Sequence, residues 1–309
     1  MGKVLVIRGG AIGDFILTLP AIALLKRDLP DACVDVLGYR PIVDLALAAG
    51  LADGVRSMEH GPLAGFFAPG TELDSDWSEY FASFDLVVSY LHDRDGWFRE
   101  NLKRAGVKTL LEGIWKVDPG IGVHAARQLA AVLEQLALYL DDPAPTLELP
   151  AAGDETAGMV AIHPGSGGTA KNWRLEDWVR IGESIADRGD GGKRLLLVTG
   201  EAEEGKHAAV TEAWRAAGVE FLHAHGWDLP RLGSALGKCR LFLGHDSGVS
   251  HLAAAAGAPC QLLFGPTDPA VWAPANVGVE VLRSATGQMA DIGFDEVQEA
   301  AHRRLHAVP

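Results

Sequence analysis

The chain has few cysteines, few basic residues and no long hydrophobic run. Its three cysteines, Cys33, Cys239 and Cys260, are far apart and form no CxxC pair, so we expect free thiols in a reducing compartment. No apolar stretch reaches the roughly 18 residues of a membrane span. The N-terminal sequence also lacks the pattern of a secretory signal. These absences predict a cytoplasmic protein.

Basic residues are outnumbered by acidic ones. The 309 residues include 27 Lys and Arg against 41 Asp and Glu, which gives a net charge of −14. Because a nucleic-acid-binding protein needs a basic face to neutralise phosphates, this balance argues against nucleic acid as a partner. It also limits any contact with an anionic membrane to a peripheral one, made through a local basic cluster. The candidates for such a cluster are Lys26, Arg27, Arg99, Lys103, Arg104 and Lys108.

Strand patterns and helical patterns alternate along the whole chain. The run KVLVI at residues 3–7 is typical of a parallel strand buried on both faces, and glycines and a helical pattern follow it at once. A proline-rich, acidic stretch lies near the middle of the chain, at residues 141–156. After it, the alternation of strand and helix patterns restarts. The sequence therefore predicts an α/β protein with two doubly wound, Rossmann-like domains, at 1–145 and 146–309.

The periodicities also predict the individual elements. Strands are expected at 3–7, 33–38, 84–89, 159–163, 194–200, 239–244 and 260–265. Helices are expected at 14–30, 41–49, 125–140, 175–186, 206–217, 229–236, 249–256 and 294–307. Pro20 lies inside the first helical pattern and predicts a kink or an early break there. Since ligands of doubly wound domains bind beyond the carboxyl ends of the strands, site residues should come just after strands.

The first polar segment after a strand is Arg8-Gly-Gly-Ala-Ile-Gly-Asp14. It does not satisfy the dinucleotide pattern G-x-G-x-x-G, because Arg8 stands at the first glycine position and no acid follows the second strand. The spacing of a P-loop is absent as well. What remains is an acid at a helix start, which is either a first-turn residue worth about 0.5–2 kcal/mol to the helix or a functional carboxylate.

A glycine-rich segment follows the first strand of the second half. In His163-Pro-Gly-Ser-Gly-Gly-Thr-Ala-Lys171, the glycines beside Ser166 and Thr169 leave backbone amides to face an anion. Lys171 adds a positive charge. These features indicate phosphate binding without the P-loop spacing, and the alternative is a mobile surface loop.

A second phosphate-binding pattern occurs in Gly244-His-Asp246-Ser-Gly248-Val-Ser-His251. Here a strand ends and a helix begins, and the amides of a helix N-terminus favour a diphosphate. His251 lies one helical turn after Ser247, so the pattern allows both to face one ligand. The alternative for His251 is a buried core histidine.

Other candidates are weaker. Glu201 and Glu203 follow a strand, where an acid can bind sugar or ribose hydroxyls. His223 and His225 are not expected to face the same side of a strand, and no acid stands at metal-ligand spacing beside them, so we expect no metal site. No G-x-S-x-G segment exists, which leaves Ser/His hydrolysis without support.

Taken together, these segments resemble the ADP-heptose:lipopolysaccharide heptosyltransferase family, family 9 of the glycosyltransferases. The resemblance is carried, in order, by RGGAIGDFILTLPAI, HPGSGGTAKNW, FLGHDSGVSHLAAAAGAP and FGPTDP. It implies the GT-B fold, with two Rossmann-like domains facing a central cleft and a final helix that returns to the first domain. It also implies an inverting, metal-independent transfer, without a cofactor, from a nucleotide-sugar donor to a glycan or glycolipid acceptor.

The same resemblance implies roles for individual residues. Asp14 matches the general base, and Lys171 matches the lysine that meets the donor's phosphates. Donor binding is implied for Gly13, Ser166, Thr169, Asp246, Ser247, Gly248 and His251, with Glu201 and Glu203 as alternatives for the acid that contacts the nucleotide. No metal ligand is implied. One departure is Arg174, which stands where members of the family often have a proline.

Two other functions share these features. A GT-B sugar-nucleotide epimerase would use the same phosphate sites but would need no acceptor, so an assay without acceptor separates it from a transferase. A non-catalytic sugar-nucleotide-binding homologue would have no need of Asp14, and the presence of that carboxylate argues against it.

Overall fold

The computed structural model describes residues 2–151, 153–187, 194–200 and 207–306. The chain divides into two compact units, Met1–Pro143 and Ala144–Pro309. Each unit is built on a sheet of parallel strands joined through helices, as the predicted α/β class requires.

The first unit contains a parallel sheet with the strand order β3-β2-β1-β4-β5. Its elements are β1 (Lys3–Arg8), α1 (Ile12–Ile16), α2 (Leu19–Asp28), β2 (Cys33–Gly38), α3 (Arg40–Ala48), β3 (Gly54–Ser57), α4 (Ser75–Ala82), β4 (Leu86–Ser89), α5 (Trp97–Arg104), β5 (Leu110–Glu112) and α6 (Ala125–Ala130). In the register of the sheet, Ile7 pairs with Ser89, and Ser89 pairs with Glu112. The ends of β1, β4 and β5 therefore lie side by side at one edge.

The second unit contains a parallel sheet with the strand order β11-β10-β9-β6-β7-β8. Its elements are β6 (Val160–Ile162), α7 (Leu175–Ala186), β7 (Leu195–Thr199), α8 (His207–Ala216), β8 (Phe221–His225), α9 (Leu229–Gly237), β9 (Leu241–His245), α10 (Gly248–Ala255), β10 (Cys260–Phe264), α11 (Pro269–Trp272), β11 (Val279–Arg283) and α12 (Phe294–His306).

The two sheets share one topology. In each, the unit's first strand lies at the centre, the second and third follow on one side, and the fourth pairs with the first on the other side. The direction of winding reverses between β1 and β4 in the first unit and between β6 and β9 in the second. Such a switch point opens a crevice beyond the carboxyl ends of the two strands. The residues that follow these strands are thus the ones that the fold presents to a ligand.

Apolar burial explains why the central strands form. In β1, five of six positions are buried, and β7, β9 and β10 are buried throughout. Large aromatic side chains fill the space between sheet and helices, with Trp77 and Phe81 in the first unit and Trp178 and Trp214 in the second. At about 25 cal/mol per Å² of apolar area removed from water, side chains of this size contribute strongly to folding.

The predicted helix containing Pro20 breaks early, as expected. α1 ends at Ile16, and α2 begins at Leu19 with the proline in its first turn, where a missing backbone N–H costs nothing.

The predicted helix at 125–140 is shorter than expected. α6 ends at Ala130 and continues only as tight 3-10 turns to Leu136. Ala137 then adopts a left-handed conformation with φ of 57°. The side chain of Arg127 donates to the carbonyls of Leu140 and Asp141, which folds the following segment back onto the helix.

The final helix, whose return to the first domain stays a prediction, is anchored in the second unit. α12 packs within the second unit, where Val297, Ala301 and Leu305 join the core beneath β6 and β9. These residues recur every four positions on one face, and their burial fixes the helix on its own unit. The side chain of Gln261 on β10 also donates to the carbonyl of Val297.

Half of the expected basic cluster in the first unit is paired with carboxylates. Three of its six members are paired: Lys26 with Asp53 at 2.8 Å, Arg27 with Asp28 at 2.7 Å and Arg99 with Glu112 at 3.2 Å. Within the described ranges, no helix has the length and apolar character needed to cross a membrane.

All three cysteines are free thiols, as predicted. Burial raises the pKa of Cys239 to about 12 and that of Cys260 to about 12, because the thiolate is poorly solvated there. These two thiols are therefore structural groups rather than nucleophiles.

Candidate functional site

In the first unit, Asp14 lies in the first turn of α1, directly beyond the carboxyl end of β1. One of its carboxylate oxygens, Oδ2, accepts the backbone N–H of Ala11 at 3.1 Å, which ties the side chain to the helix start. The other, Oδ1, lies 3.7 Å from Nη2 of Arg8, and the side chain as a whole is 40% exposed. Asp14 thus makes a helix-capping contact and has a side chain that is partly accessible to solvent, while its function as a carboxylate stays a prediction.

The position of the Asp14 carboxylate requires glycine in the turn before α1. Gly10 has a φ of +101°, and a Cβ built on it would lie 2.9 Å from Oδ2 of Asp14. A larger residue would be strained by its backbone conformation and would also displace the acid. Gly13, predicted to bind donor, lies inside α1 of this unit, where its carbonyl accepts the N–H of Leu17.

Arg8, the last residue of β1, is the buried partner of Asp14. Its side chain is 3% exposed, its guanidinium carbon lies 5.7 Å from the ring centre of Tyr90, and its Nη1 donates to the carbonyl of Trp115 at 3.3 Å. Burial lowers the pKa of Arg8, while the charge of Asp14 acts in the opposite direction. In the sequence, Arg8 stands out only as the residue that breaks a glycine pattern.

In the second unit, Lys171 and Asp246 meet at the switch point between β6 and β9. Nζ of Lys171 donates to Oδ2 of Asp246 at 2.6 Å, and the hydroxyl of Thr267 donates to the same oxygen at 2.8 Å. The Asp246 side chain is 8% exposed and that of Lys171 is 34% exposed. The ammonium group of Lys171 is thus paired with a buried acid, while about a third of the lysine side chain is exposed.

The glycine-rich segment that carries Lys171 is ordered by its own hydrogen bonds. The hydroxyl of Ser166 donates to the side-chain oxygen of Asn172 at 2.7 Å, and it also contacts the carbonyl of Gly168. Thr169 is exposed and begins a short 3-10 turn that ends at Lys171. Gly167 has open space around its α-carbon. The segment therefore has a fixed base and an accessible tip.

His245, the last residue of β9, holds both ends of this segment. Its Nε2 accepts the backbone N–H of Trp173 at 2.8 Å and the indole N–H of Trp178 at 3.2 Å. Because both donors point at Nε2, the ring proton belongs on Nδ1, which lies 3.4 Å from the carbonyl of Gly165. The ring is fully buried. The sequence motif indicates no role for His245, because its partners Gly165, Trp173 and Trp178 lie far earlier in the chain.

The start of α10 brings the remaining predicted donor residues together. Ser247 caps the helix, with its hydroxyl accepting the N–H of Ser250 at 3.3 Å, and Gly248 is the first helical residue. Ser247 also lies 3.4 Å from Nδ1 of His163, at the end of β6. His251 is one turn further along the helix and is 3% exposed. Ser247 and Gly248 are partly exposed, whereas Ser250 and His251 are buried.

Two predictions concern residues that follow β7 or lie on the neighbouring strand β8. Glu201 and Glu203 lie outside the described residues. The expectation that His223 and His225 face different sides of a strand is wrong, because residues two apart in a strand share a face. The hydroxyl of Thr199 lies 2.8 Å from Nε2 of His223 and 3.0 Å from Nδ1 of His225.

Comparisons with known proteins agree with this architecture. The sequence profile of glycosyltransferase family 9 (heptosyltransferase) matches residues 111–302, more than half of the chain. A protein of Escherichia coli named lipopolysaccharide heptosyltransferase 3 is 26% identical over 290 residues, which are 85% of this chain and 82% of that protein.

Solved structures show the same fold. A glycosyltransferase family 9 structure from Veillonella parvula matches with a TM-score of 0.76 at 17% identity, covering 98% of this chain and 97% of the other. The E. coli heptosyltransferase WaaC with ADP matches with a TM-score of 0.75 at 17% identity, covering 98% and 99%. These likenesses confirm two Rossmann-like units of the GT-B class. Since the family profile spans most of the chain, this protein belongs to glycosyltransferase family 9, the heptosyltransferases.

Proposed function

We propose that the protein transfers a heptose from ADP-heptose to a glycan acceptor of the lipopolysaccharide type, with inversion at the anomeric carbon and without a metal ion. Sugar transfer itself follows from membership of the family. The choice of acceptor is supported by the name of the relative from E. coli, lipopolysaccharide heptosyltransferase 3. The choice of nucleotide is supported by the E. coli heptosyltransferase solved with ADP.

The observation that carries the proposal is the partly exposed side chain of Lys171 at the β6–β9 switch point, whose ammonium group is paired with the buried Asp246. An ammonium has three N–H donors, and Asp246 accepts one of them, which leaves others for a ligand. As the bond between sugar and diphosphate breaks, negative charge grows on the diphosphate. Lys171 lies where that charge can be met, with the start of α10 following Asp246 directly in the chain. A cation and helix amides can thus take the part that a metal ion plays elsewhere.

Asp14 is the base in this mechanism. Its exposed carboxylate removes the proton of the acceptor hydroxyl as the hydroxyl oxygen attacks the anomeric carbon. The bond from that carbon to the diphosphate oxygen breaks in the same step, and the nucleoside diphosphate leaves. Attack from the side opposite the leaving group inverts the anomeric configuration. Base catalysis of this kind contributes about 10²–10⁴-fold to a rate.

Nucleotide selectivity is the first test. Thermal unfolding of the protein is measured with ADP, UDP, GDP and TDP, each with and without EDTA. A nucleotide at 100 times its dissociation constant should stabilise the protein by about 2.7 kcal/mol. We expect the largest shift with ADP and no change on adding EDTA. A larger shift with another diphosphate would contradict the assigned nucleotide, and loss of the shift with EDTA would contradict metal independence.

Turnover is the second test. The protein is incubated with ADP-heptose and one of two deacylated core oligosaccharides of lipopolysaccharide, one that carries heptose and one that does not. Products are identified by mass spectrometry and NMR. We expect a heptosylated oligosaccharide with inverted anomeric configuration. Altered ADP-heptose in the absence of acceptor would favour the epimerase instead, and binding of ADP with no product from either oligosaccharide would overturn the assigned acceptor.

A further inference from the structure

Trp115 is an exposed aromatic side chain at the carboxyl end of the first unit's sheet. It follows β5 by three residues and is 50% exposed. Single exposed aromatics are common on protein surfaces and by themselves indicate nothing. Trp115 differs because both its backbone and its ring are held in place, and because the group that holds the backbone also contacts Asp14.

The backbone of Trp115 is fixed by the buried guanidinium of Arg8. Nη1 of Arg8 donates to the carbonyl of Trp115 at 3.3 Å, while Nη2 lies 3.7 Å from Oδ1 of Asp14. One planar, rigid group therefore contacts both the carboxylate and the tryptophan. Since the guanidinium is 3% exposed, it has little freedom to move, and the spacing between Asp14 and Trp115 is set by its own geometry.

A close approach of two strands directs the chain toward Arg8. Gly113, which follows β5, donates its N–H to the carbonyl of Ser89 at 2.9 Å. A Cβ on Gly113 would lie 2.4 Å from the ring of Tyr90, so only glycine allows this passage. The hydroxyl of Tyr90 in turn donates to the carbonyl of Leu129, and Arg8 lies over its ring. The segment that presents Trp115 is thus built into the sheet edge.

Two neighbouring side chains contact the indole ring. The ring of His92, which follows β4, lies 4.4 Å from it between centroids at an interplanar angle of 35°. Lys116 approaches the same indole with its Nζ at 6.0 Å from the centroid. Half of the tryptophan surface remains in solvent despite these contacts. A flat aromatic surface is therefore held still and left accessible near a carboxylate.

We propose that Trp115, braced by His92, is the stacking surface for the acceptor's sugar ring, and that Arg8 sets its distance from Asp14. A pyranose presents C–H groups on its face, which pack on the electron-rich face of an aromatic ring, and hydroxyls at its rim. With the face on Trp115, a rim hydroxyl can point toward Asp14. The inference rests on the proposed function, since it assigns the acceptor subsite of that reaction.

Kinetics with Trp115→Ala and Trp115→Phe test whether Trp115 is the stacking surface. Initial rates are measured with ADP-heptose and the two deacylated core oligosaccharides, each substrate varied independently. Trp115→Ala should raise KM for the oligosaccharide about tenfold, as expected for loss of an aromatic contact, while KM for ADP-heptose stays within about twofold. Trp115→Phe should recover most of the loss. An oligosaccharide KM unchanged in Trp115→Ala would overturn the proposal.

A matched control separates stacking from a general effect of removing an exposed aromatic. Tyr139 is 60% exposed on the same unit and lies after the turns that end at Leu136. Tyr139→Ala should leave both KM values near those of the unmodified protein. An equal rise in oligosaccharide KM in Tyr139→Ala and Trp115→Ala would refute a specific role for Trp115.

A binding measurement tests the stacking surface even if the protein does not catalyse the proposed reaction. The protein is labelled with 5-fluorotryptophan, and the ¹⁹F resonance of Trp115 is assigned by its loss in Trp115→Phe. Adding the same oligosaccharides should shift this resonance, whereas ADP alone should not. Binding of ADP tests the proposed function independently of this readout. No response of Trp115 to either oligosaccharide would refute its role as the stacking surface, whether or not transfer occurs.

Discussion

Each unit has a cation–carboxylate pair at its switch point, and the two pairs are inverted in burial. In the first unit the cation is buried and the acid is accessible, with Arg8 at 3% and Asp14 at 40% exposure. In the second unit the acid is buried and the cation is accessible, with Asp246 at 8% and Lys171 at 34%. The accessible member is what a ligand meets, so one unit presents a carboxylate and the other presents an ammonium group.

Under the proposed function, the inversion lets one topology serve two chemical tasks. A buried charge is costly unless it is paired, so the buried member needs its accessible partner, and the partner gains a fixed position. An accessible carboxylate suits the removal of a proton from a hydroxyl. An accessible ammonium suits the charge of a diphosphate. The following substitutions test the comparison by removing one member at a time.

Asp14→Asn should have the largest effect. The amide oxygen of asparagine can still accept the N–H of Ala11, so the start of α1 is retained, but the group no longer removes a proton. We expect kcat to fall by about 10²–10⁴-fold, with the Kd for ADP measured by calorimetry within twofold of the original. Turnover at the original rate would exclude Asp14 as the base.

Lys171→Ala should have the second largest effect, and it acts on binding. A hydrogen bond to a charged group is worth about 1.5–3 kcal/mol, which corresponds to roughly a 10- to 100-fold increase in the Kd for ADP. The unpaired Asp246 carboxylate adds repulsion toward the diphosphate. Calorimetry measures the change, and an unaltered Kd would show that Lys171 does not meet the phosphates.

The double variant Lys171→Ala, Asp246→Asn isolates that repulsion. Removing both charges leaves no unpaired buried carboxylate, so ADP should bind more tightly to the double variant than to Lys171→Ala alone. Thr267 retains a partner, because its hydroxyl can donate to the amide oxygen. Equal affinity in the two variants would mean that Asp246 only orients the lysine and has no electrostatic effect on the ligand.

Arg8→Met tests the pair in the first unit. Methionine removes the guanidinium that contacts Asp14 and Trp115 while filling part of its space. Loss of this contact should misplace the carboxylate and lower kcat by on the order of tenfold, without changing the Kd for ADP. Arg8→Lys keeps a charge but lacks the second terminal nitrogen, so it should restore less than half of the loss. A larger change in the Kd for ADP than in kcat would contradict the catalytic task assigned to the first unit.

The sequence predicted the central strands far better than the edges of the sheets. The elements it left out include β3, β5, β8 and β11, which are the edge strands of the two sheets. Central strands read as continuous apolar runs because both faces are buried. The edge strands GVRS, LLE, FLHAH and VEVLR mix polar and apolar residues, and their pairing depends on the neighbouring strand rather than on their own composition.

The candidate site shows a similar division. The positions of Asp14, Lys171 and Asp246 were predictable, because polar residues after buried strands lie at the ligand-binding edge of a parallel sheet. Arg8 and His245 were given no role, although both adjoin these motifs. Their importance comes from partners 107 and 72 residues away, the carbonyl of Trp115 and the amide of Trp173. Contacts over such distances along the chain are set by the sheet register, which a single sequence does not reveal.

His245→Phe should have the smallest effect, measured on the Kd for ADP. It tests how the second unit holds the segment that carries Lys171. Phenylalanine keeps the aromatic packing on Trp178 but offers no acceptor to the N–H groups of Trp173 and Trp178, so the segment carrying Lys171 loses its anchor. Binding must then order that segment, at about 0.5–1.5 kcal/mol, which is roughly a two- to tenfold weaker Kd for ADP. His245→Gln places an amide oxygen near the position of Nε2 and should recover part of the affinity. If His245→Phe leaves the Kd for ADP unchanged while His245→Gln weakens binding, the ring matters for packing alone, and the lysine is positioned by Asp246 without help from its own loop.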